Sequence, residues 1–245
     1  MVAIAGGDGA VRKMLRKLAG RPRVPVLILA TGTANNIARS LGCDGPWEEA
    51  VASMDRRTPR PFRFGRVACG EVDDWFFESV GLGLFAGFLH LAEGDPRLVD
   101  FLTRRRASER DYAALAHMAG EVPAIELTLV SGERQLRETC VWLEVLNIPA
   151  MGPRLALADA ECMGGEIHVA LVPESKRDEL VAYFEGLLNR EEVSFPGIIW
   201  TGGPELRIAW PGGEYHVDDE SQKVAGGEAV LELSRVEEAL VILAP

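Results

Sequence analysis

The sequence predicts an α/β fold followed by a β fold: a doubly wound parallel sheet, then a β-sandwich-like domain with a few helices. Two observations support this prediction. Up to residue 53, short apolar runs alternate with helical stretches, which is the pattern of parallel strands joined by helices. After residue 61, runs of alternating apolar and polar residues follow one another with few helices between them, which is typical of antiparallel β domains.

The first part of the chain is predicted to contain two strands and three helices. Val2–Ala5 and Val24–Leu29 are apolar enough for strands that are buried on both faces. The predicted helices are Val11–Ala19, Asn35–Leu41 and Trp47–Ser53. Sheets of this kind bind ligands beyond the carboxyl ends of their strands.

The second part begins after the turn-rich segment 56–61. Phe62–Cys69 and Asp74–Val80 are predicted to form a hairpin, and Ala124–Val130 is predicted to pair with Thr139–Leu146. Further strands are predicted at 167–172, 197–200, 206–210, 215–217, 229–233 and 239–244, and helices at 84–91, 97–106, 109–119 and 176–188.

Two glycine-rich turns follow the two strands of the first part. The first turn contains Gly6, Gly7, Asp8 and Gly9, and the second, from Thr31 to Asn36, contains Gly32, Thr33 and Asn35. Because glycine has no Cβ, its backbone can approach an anion closely, and the helix that follows adds its positive end. The pair of turns therefore predicts a phosphate-binding cradle.

Asp8 does not fit a simple phosphate cradle, because a carboxylate repels phosphates. It would be useful there for holding a metal ion, accepting a hydroxyl proton or bonding a sugar hydroxyl. The alternative is a turn residue whose side chain bonds the backbone. Asn35 has a similar alternative, as the cap of the next helix.

An acidic cluster, Asp218-Asp219-Glu220, follows a predicted strand. Adjacent carboxylates either raise a pKa by mutual repulsion or recruit Mg²⁺, so Asp218 and Asp219 are candidate metal ligands. The alternative is a solvated acidic turn. His216 shares a strand face with Asp218, which is compatible with a catalytic histidine, but we predict a partly buried structural histidine there.

These motifs resemble the diacylglycerol kinase catalytic-domain family, which includes bacterial lipid kinases and sphingosine and ceramide kinases. The resemblance rests on Gly-Gly-Asp-Gly at 6–9 followed by Gly-Thr-Ala-Asn-Asn-Ile-Ala-Arg at 32–39. Stretches at 77–83, 145–152 and 216–220 also match, in the same order along the chain. NAD kinases and phosphofructokinases share the first motif but not the second.

The sequence departs from the usual family pattern in two ways. Ala10, Asn36, Gly164 and Asp219 stand where Thr, Asp, an Asp-Gly pair and Gly are common. The resemblance also implies a strand, an Asn-Pro turn, a helix and a second strand before Gly6, whereas Met1 lies five residues before it. We therefore expect either that the sequence starts at an internal methionine, or that the first domain is truncated and its exposed sheet is covered by a partner or by a homo-oligomer.

The resemblance implies an ATP-dependent lipid kinase that phosphorylates a hydroxyl of a diacylglycerol-type or sphingoid lipid at a membrane surface, with Mg²⁺ on the phosphates. It implies a nucleotide domain, 1–58, to which 239–245 returns, and a lipid domain, 59–238. The glycine turns would hold ATP, while Glu220, together with Asp8, would activate the acceptor hydroxyl. The alternatives are a non-catalytic nucleotide- or lipid-binding homologue and an NAD kinase-like enzyme.

Composition and charge narrow the class of protein further. The 245 residues carry a net charge of −11, but residues 1–66 contain 12 Lys or Arg and only 5 Asp or Glu. The overall acidity argues against nucleic acid as the main partner, and the basic start suits a nucleotide or an anionic membrane. No apolar run reaches the roughly 18 residues of a membrane helix. With four scattered cysteines as well, we expect a cytoplasmic protein that is peripheral at the inner membrane face.

Overall fold

The computed structural model describes residues 1–21, 24–94 and 107–245, so the helix predicted at 97–106 lies outside the described residues. The helices are α1 Asp8–Leu18, α2 Asn36–Ser40, α3 Trp47–Ala52, α4 Leu84–Gly94, α5 Ala107–Glu121 and α6 Arg177–Leu188, with 3₁₀ turns at Met54–Arg56, Ala160–Met163 and Glu174–Lys176. None of the described helices is long and apolar enough to cross a membrane.

Seventeen strands are present in the described part of the chain. They are β1 Val2–Gly6, β2 Pro25–Ala30, β3 Thr58–Phe62, β4 Gly65–Cys69, β5 Val72–Phe76, β6 Ser79–Gly83, β7 Ile125–Ser131, β8 Arg134–Leu146, β9 Ala150–Met151, β10 Leu155–Ala156, β11 His168–Pro173, β12 Ile198–Thr201, β13 Glu205–Trp210, β14 Gly213–Val217, β15 Glu220–Val224, β16 Ala229–Arg235 and β17 Leu240–Ala244.

The first sheet has four strands in the order β1-β2-β17-β3. β1, β2 and β17 are parallel, and β3 runs antiparallel at the edge. Val11 and Leu15 of α1 pack in one core with Val26 and Ile28 of β2. Burial of this apolar stripe holds α1 against the sheet. The last strand of the chain lies beside β2, so the chain returns to its first sheet.

The prediction of unbroken strands at Phe62–Cys69 and Asp74–Val80 is wrong. The first run divides between β3 and β4, and the second divides between β5 and β6. The breaks lie at Phe64 and Phe77, whose rings are 5.3 Å apart and buried in the core of the first sheet. Turning these two rings away from their own strands buries apolar surface, which compensates for the interrupted pairing.

The break after β3 is also the place where the chain passes from one sheet to the other. β3 pairs with β17 in the first sheet, whereas β4 pairs with β16 in the second. Residues 59–62, which the sequence assigned to the second domain, therefore lie in the first sheet. The division of the chain into residues 1–58 and 59–238 otherwise stays a prediction.

The second sheet has eleven antiparallel strands with the main order β15-β14-β6-β8-β7-β13-β16-β4-β5, and β11 joins β8 to β12 off this path. Residues 134–140 of the long strand β8 pair with β7, and residues 142–146 pair with β6. The sheet therefore curls around an apolar core. Helices α4, α5 and α6 cover its outer face in a further core that includes Phe88, Leu115 and Phe184. The predicted fold class, an α/β domain followed by a β domain with few helices, is confirmed.

Candidate active site

The two glycine-rich turns contact each other at the carboxyl ends of β1 and β2. A Cβ on Gly32 would lie 2.3 Å from the Cα of Gly7, so a side chain at Gly32 would collide with backbone. The N–H of Thr31 donates to the carbonyl of Gly6 at 3.1 Å, which continues the pairing of the two parallel strands. The turns, distant in sequence, therefore form one surface.

Asn35 gives the second turn its shape. Its φ of +54° lies in the left-handed region, which asparagine adopts more readily than most residues. Its Oδ1 accepts the N–H of Gly32 at 2.9 Å, and its Nδ2 donates to the carbonyl of Gly32 at 2.8 Å. The side chain makes no capping bond to α2. Asn35 thus closes the turn instead of capping the helix.

Asp8 is the first residue of α1, and its side chain faces α2. Its Oδ1 accepts the backbone N–H of Ile37 at 3.0 Å, which satisfies an amide at the start of that helix. The residue preceding α1 is Gly7, and no side chain of the described residues caps this helix. Of the first-turn N–H groups of α1, those of Ala10 and Val11 both donate to the carbonyl of Gly7 at 3.0 Å, so in the described part of the chain those of Asp8 and Gly9 remain for water or a ligand. With the positive helix end they form an anion-binding surface.

Arg154 connects the second turn to the loop between β9 and β10. Its Nε donates to the carbonyl of Ala34 at 3.2 Å, and its Nη2 donates to the carbonyl of Thr33. On the other side of this loop, the hydroxyl of Tyr112 in α5 donates to the carbonyl of Pro153 at 2.8 Å. Arg154 and Tyr112 are not predictable as site residues from the sequence, because neither belongs to a local motif and only the tertiary fold brings them to the turn.

A cavity of about 550 Å³ lies where these elements meet. Its lining comprises Asp8, Gly9, Thr33, Ala34, Asn36, Phe85, Phe88, Leu89, Asp111, Tyr112, Gly152, Pro153, Arg154 and Asp219. The wall beside the glycine turns is polar and acidic, whereas the wall formed by α4 is apolar. The volume and this mixture of surfaces are typical of small-molecule sites.

The fold divides the acidic cluster, and Asp218 faces the protein interior. Its carboxylate accepts the backbone N–H groups of Phe77, Glu78 and Ser79 at 3.0, 2.8 and 3.3 Å. Burial raises the pKa of Asp218 to about 6, although these amides and Arg12 oppose the increase. Because its oxygens are directed at backbone amides, Asp218 is not placed to act as the predicted metal ligand.

Asp219 faces the opposite way and lines the cavity. Its Oδ2 lies 3.9 Å from the position that a Cβ on Gly9 would occupy, so the carboxylate is directed at the first glycine turn. Desolvation raises the pKa of Asp219, and the negative charge of Asp8 raises it further. The positive charge of Arg12 opposes both effects without cancelling them, so the pKa lies above its ordinary value. Of the three acidic residues in the cluster, Asp219 is the one that reaches the cavity.

Glu220 does not line the cavity and faces α1 instead. Its Oε1 lies 3.2 Å from Nη2 of Arg12, and its Oε2 lies 3.5 Å from Nη1 of Arg16. A general base needs an oxygen within reach of the hydroxyl that it deprotonates. This geometry does not support the prediction that Glu220 activates the acceptor hydroxyl, because both oxygens are engaged in ion pairs that join β15 to α1.

Glu78 forms a buried polar contact with Asn36, which lines the cavity, and no motif in the sequence predicted this contact as part of the site. Both are 2% exposed. Nδ2 of Asn36 donates to Oε2 of Glu78 at 3.1 Å and to the carbonyl of Gly152 at 2.9 Å. Burial and the nearby aspartate charges raise the pKa of Glu78 well above its ordinary value. A charged residue inside the apolar run 75–80 was the signal that could have identified it.

His216 lies deeper than predicted, because it is fully buried rather than partly buried. Its Nε2 lies 2.9 Å from Oε1 of Glu144, and its Nδ1 lies 2.7 Å from the carbonyl of Asp218. Burial lowers the pKa of His216, but the Glu144 carboxylate outweighs this effect and raises it. His216 therefore supports the acidic loop from behind and does not face the cavity.

Metal binding at the cavity would require oxygens beyond those of the protein. Within residues 1–21, 24–94 and 107–245, no three or more His, Cys, Asp or Glu side chains are grouped as a metal site. Asp8 and Asp219 both line the cavity. This arrangement fits Mg²⁺ that arrives with phosphates, because Mg²⁺ is commonly bound by one or two carboxylates together with substrate phosphate oxygens.

Solved structures share this fold. A candidate diacylglycerol kinase from Bacillus anthracis strain Sterne superposes with a TM-score of 0.75 at 13% identity, covering 100% of this chain and 78% of that one. A diacylglycerol kinase from the same strain gives 0.68 at 15% identity, covering 100% and 76%. Yeast NADH kinase complexed with NADH gives 0.57 at 11% identity, covering 100% and 61%. At these identities the likeness shows the fold alone, and it is a fold found in both diacylglycerol kinase and NADH kinase structures.

A family model matches the beginning of the chain. Residues 1–67 match the model of the diacylglycerol kinase catalytic domain. This segment contains both glycine-rich turns, so the resemblance drawn from the motifs is confirmed over the part of the chain that forms the cradle. No curated protein matches the sequence.

Proposed function

We propose that this protein transfers the γ-phosphoryl group of ATP to a hydroxyl of a diacylglycerol-type or sphingoid lipid. The observation that carries the proposal is a single cavity with two unlike walls. One wall is the phosphate cradle and the uncapped start of α1, and the other is the apolar surface of Phe85, Phe88 and Leu89. A phosphoryl donor and an amphiphilic acceptor need such surfaces side by side.

The residues of the cradle fit a nucleotide phosphate chain. Gly9 lines the cavity without a side chain, so phosphates could approach the first turn of α1. Thr33 and the guanidinium of Arg154 face the same space and would supply a hydroxyl and a positive charge. Gly6, Gly7, Gly32 and Asn35 would act indirectly, because they determine the shape of the two turns.

Asp219, with Asp8 beside it, is our candidate for the group that accepts the proton of the lipid hydroxyl. Both carboxylates line the cavity, and burial together with the nearby Asp8 charge raises the pKa of Asp219, which makes it a stronger base than an ordinary aspartate. Mg²⁺ bound to the phosphates and to these carboxylates would offset the phosphate charge. Glu220 would hold α1 in place through Arg12 and Arg16.

A nucleotide- or lipid-binding protein without turnover is the second candidate. It is favoured by the engagement of Glu220 in ion pairs and by the amide of Asn36 at a position where the family usually has an acid. An NAD kinase-like activity is the third candidate. Yeast NADH kinase shares the fold, but NAD kinases lack the second motif, which this chain has at 31–39.

The test is transfer of radiolabelled phosphate from ATP·Mg²⁺ to dioleoylglycerol, to sphingosine and to NAD, with the lipids in mixed micelles and ATP binding measured by calorimetry. Label in either lipid, lost in Asp219→Asn, supports the proposal. Label in NAD alone replaces it with the nicotinamide-nucleotide activity. ATP binding without transfer to any acceptor gives priority to the non-catalytic alternative.

A further inference from the structure

The second sheet contains a buried hydrogen-bonded pair, Glu144 and His216, which no motif predicted. Both side chains are completely buried. Oε1 of Glu144 lies 2.9 Å from Nε2 of His216 and accepts the indole N–H of Trp142 at 2.8 Å. Oε2 of Glu144 has no partner among the described residues. A buried carboxylate with an unpaired oxygen lowers stability, so stability alone does not account for this pair.

Glu144 and His216 meet across the strand that separates them, directly over Gly81. The registers place Gly81 of β6 opposite Glu144 of β8 on one side and opposite His216 of β14 on the other. A Cβ on Gly81 would lie 2.4 Å from both carboxylate oxygens and 2.4 Å from Nε2 of His216. Side chains two strands apart can touch only where the middle strand has no side chain. The three residues therefore form one unit.

The second ring nitrogen of His216 connects this unit to the acidic loop. Nδ1 lies 2.7 Å from the backbone carbonyl of Asp218. A carbonyl oxygen can only accept a hydrogen bond, so Nδ1 must carry a proton. This holds whether the proton of the other contact lies on Nε2 of His216 or on the Glu144 carboxylate. Asp218 has a φ of +52°, in the left-handed region, where a residue other than glycine is held by its surroundings.

The carbonyl that His216 holds belongs to the peptide group that joins Asp218 to Asp219. Val217 pairs with Glu220, so these two aspartates are the whole loop between β14 and β15. Because the peptide group is planar, fixing this carbonyl fixes the plane from which Asp219 extends. Two bonds of Asp218 hold the other side of the loop: its carboxylate accepts the N–H of Glu78, and its backbone N–H donates to the carbonyl of Ser79 at 2.7 Å.

We propose that Glu144 and His216 are positioning residues: through the Nδ1 bond to the Asp218 carbonyl they direct the Asp219 carboxylate at the first glycine turn. This inference rests on the proposed function for its effect on phosphate transfer, but not for its effect on the loop. Glu144 orients the imidazole ring of His216. Gly81 has no side chain, which leaves space for the two side chains to meet, and His216 transmits the orientation to the peptide group of Asp219.

Two substitutions of His216 separate its two contacts. His216→Asn keeps a donor near the position of Nδ1 and loses the contact with Glu144, whereas His216→Gln keeps a group near Nε2 and loses the donor to Asp218. We expect His216→Gln to lower kcat for lipid phosphorylation about tenfold or more, which is the effect of one lost buried hydrogen bond, with ATP affinity and lipid KM little changed. His216→Asn should retain more of the activity than His216→Gln.

A double-mutant cycle with Asp219→Asn tests the route of the effect, and Val145→Ala is the control for lost packing in the same sheet. If His216 acts through Asp219, His216→Gln adds no further loss of kcat in the Asp219→Asn background. Val145→Ala should lower the unfolding temperature and leave kcat per folded molecule unchanged. If the fold-reductions in kcat caused by His216→Gln and by Asp219→Asn multiply in the double variant, the two residues act independently and the proposal is overturned.

Hydrogen exchange provides a readout that does not require lipid kinase activity. We expect His216→Gln to speed exchange of the Asp218 amide and of the amides of 77–79 about tenfold, with a smaller effect from His216→Asn and none from Val145→Ala. Equal exchange in His216→Gln and the unmodified protein would overturn the positioning role even if phosphate transfer occurs. Faster exchange in a protein that phosphorylates no lipid would support the positioning role and reject the proposed function.

Discussion

Asn36 donates one side-chain amide group to both Glu78 and Gly152, so a single residue of α2 contacts both the segment between β5 and β6 and the loop between β9 and β10. Two further contacts join α1 and the second glycine turn to later parts of the chain. Arg16 pairs with Asp74 at 2.9 Å, and the carbonyl of Thr33 accepts from Arg154. The cavity lies among these contacts, so its geometry depends on how these elements are held together.

Asn36→Asp should destabilise the protein at pH 7 by about 3 kcal/mol, because it removes the amide donor and places a second carboxylate beside buried Glu78. The loss should be smaller at pH 5, where the two acids share a proton. Urea unfolding at both pH values measures this difference. Asn189→Asp, at an exposed position after α6, is the matched control and should change stability little. Equal losses at pH 5 and pH 7 would contradict the charge argument.

Gly32→Ala should weaken ATP·Mg²⁺ binding tenfold or more, because its Cβ would lie 2.3 Å from the Cα of Gly7 and would separate the two turns. Gly7→Val should act in the same direction, since even its Cβ would lie 3.0 Å from the Cα of Gly32. The second sheet should stay folded in both variants. Calorimetry and thermal unfolding provide the two measurements.

Gly45→Ala is the control for these substitutions, because no atom lies within 4 Å of a Cβ at that position and its φ is not positive. It should bind ATP·Mg²⁺ as the unmodified protein does. If Gly32→Ala and Gly45→Ala bind the nucleotide equally well, the two turns do not form the phosphate cradle.

The glycine turns were predictable because strand, turn and helix follow one another within a few residues. Their direct contact follows from adjacent parallel strands ending at one edge. Glu78 and Arg154 could not be predicted in this way, since each reaches the site through pairings distant in sequence. The sequence also could not decide which of Asp218, Asp219 and Glu220 faces the cavity. Neighbouring residues of a tight loop point in different directions, and the φ of Asp218 determines which one turns outward.

Asp218 should make the stability of the protein fall as the pH rises. Burial raises its pKa to about 6, above the ordinary value of 3.8, so the folded state holds the proton more tightly than the unfolded chain. Its contribution to stability is therefore full below about pH 4 and is lost as the pH rises through about 6, by an amount on the order of 2–3 kcal/mol.

Asp218→Asn isolates this effect, because asparagine tolerates the left-handed φ and still accepts backbone N–H groups, but does not titrate. Urea unfolding of both proteins at pH 4, 5.5 and 7 is the measurement. The stability of the unmodified protein relative to Asp218→Asn should decrease across this range. A difference that stays constant with pH would show that Asp218 does not titrate in this window.

Asp219 and Glu220 are adjacent acids that the structure assigns to different sides of one loop, and a matched pair of substitutions tests that assignment. Asp219→Asn should lower phosphate transfer to lipid about 10²–10⁴-fold, which is the usual cost of losing a general base. ATP affinity without Mg²⁺ should change little, whereas affinity for ATP·Mg²⁺ should fall, because Asp219 would also contact the metal. Glu220→Gln should lower transfer less than tenfold. It should lower stability by about 1–3 kcal/mol, because the pair with Arg16 is partly exposed but Arg12 is buried and would lose its charged partner. The reverse order of activities would return the role of base to Glu220 and require α1 to release it during the reaction.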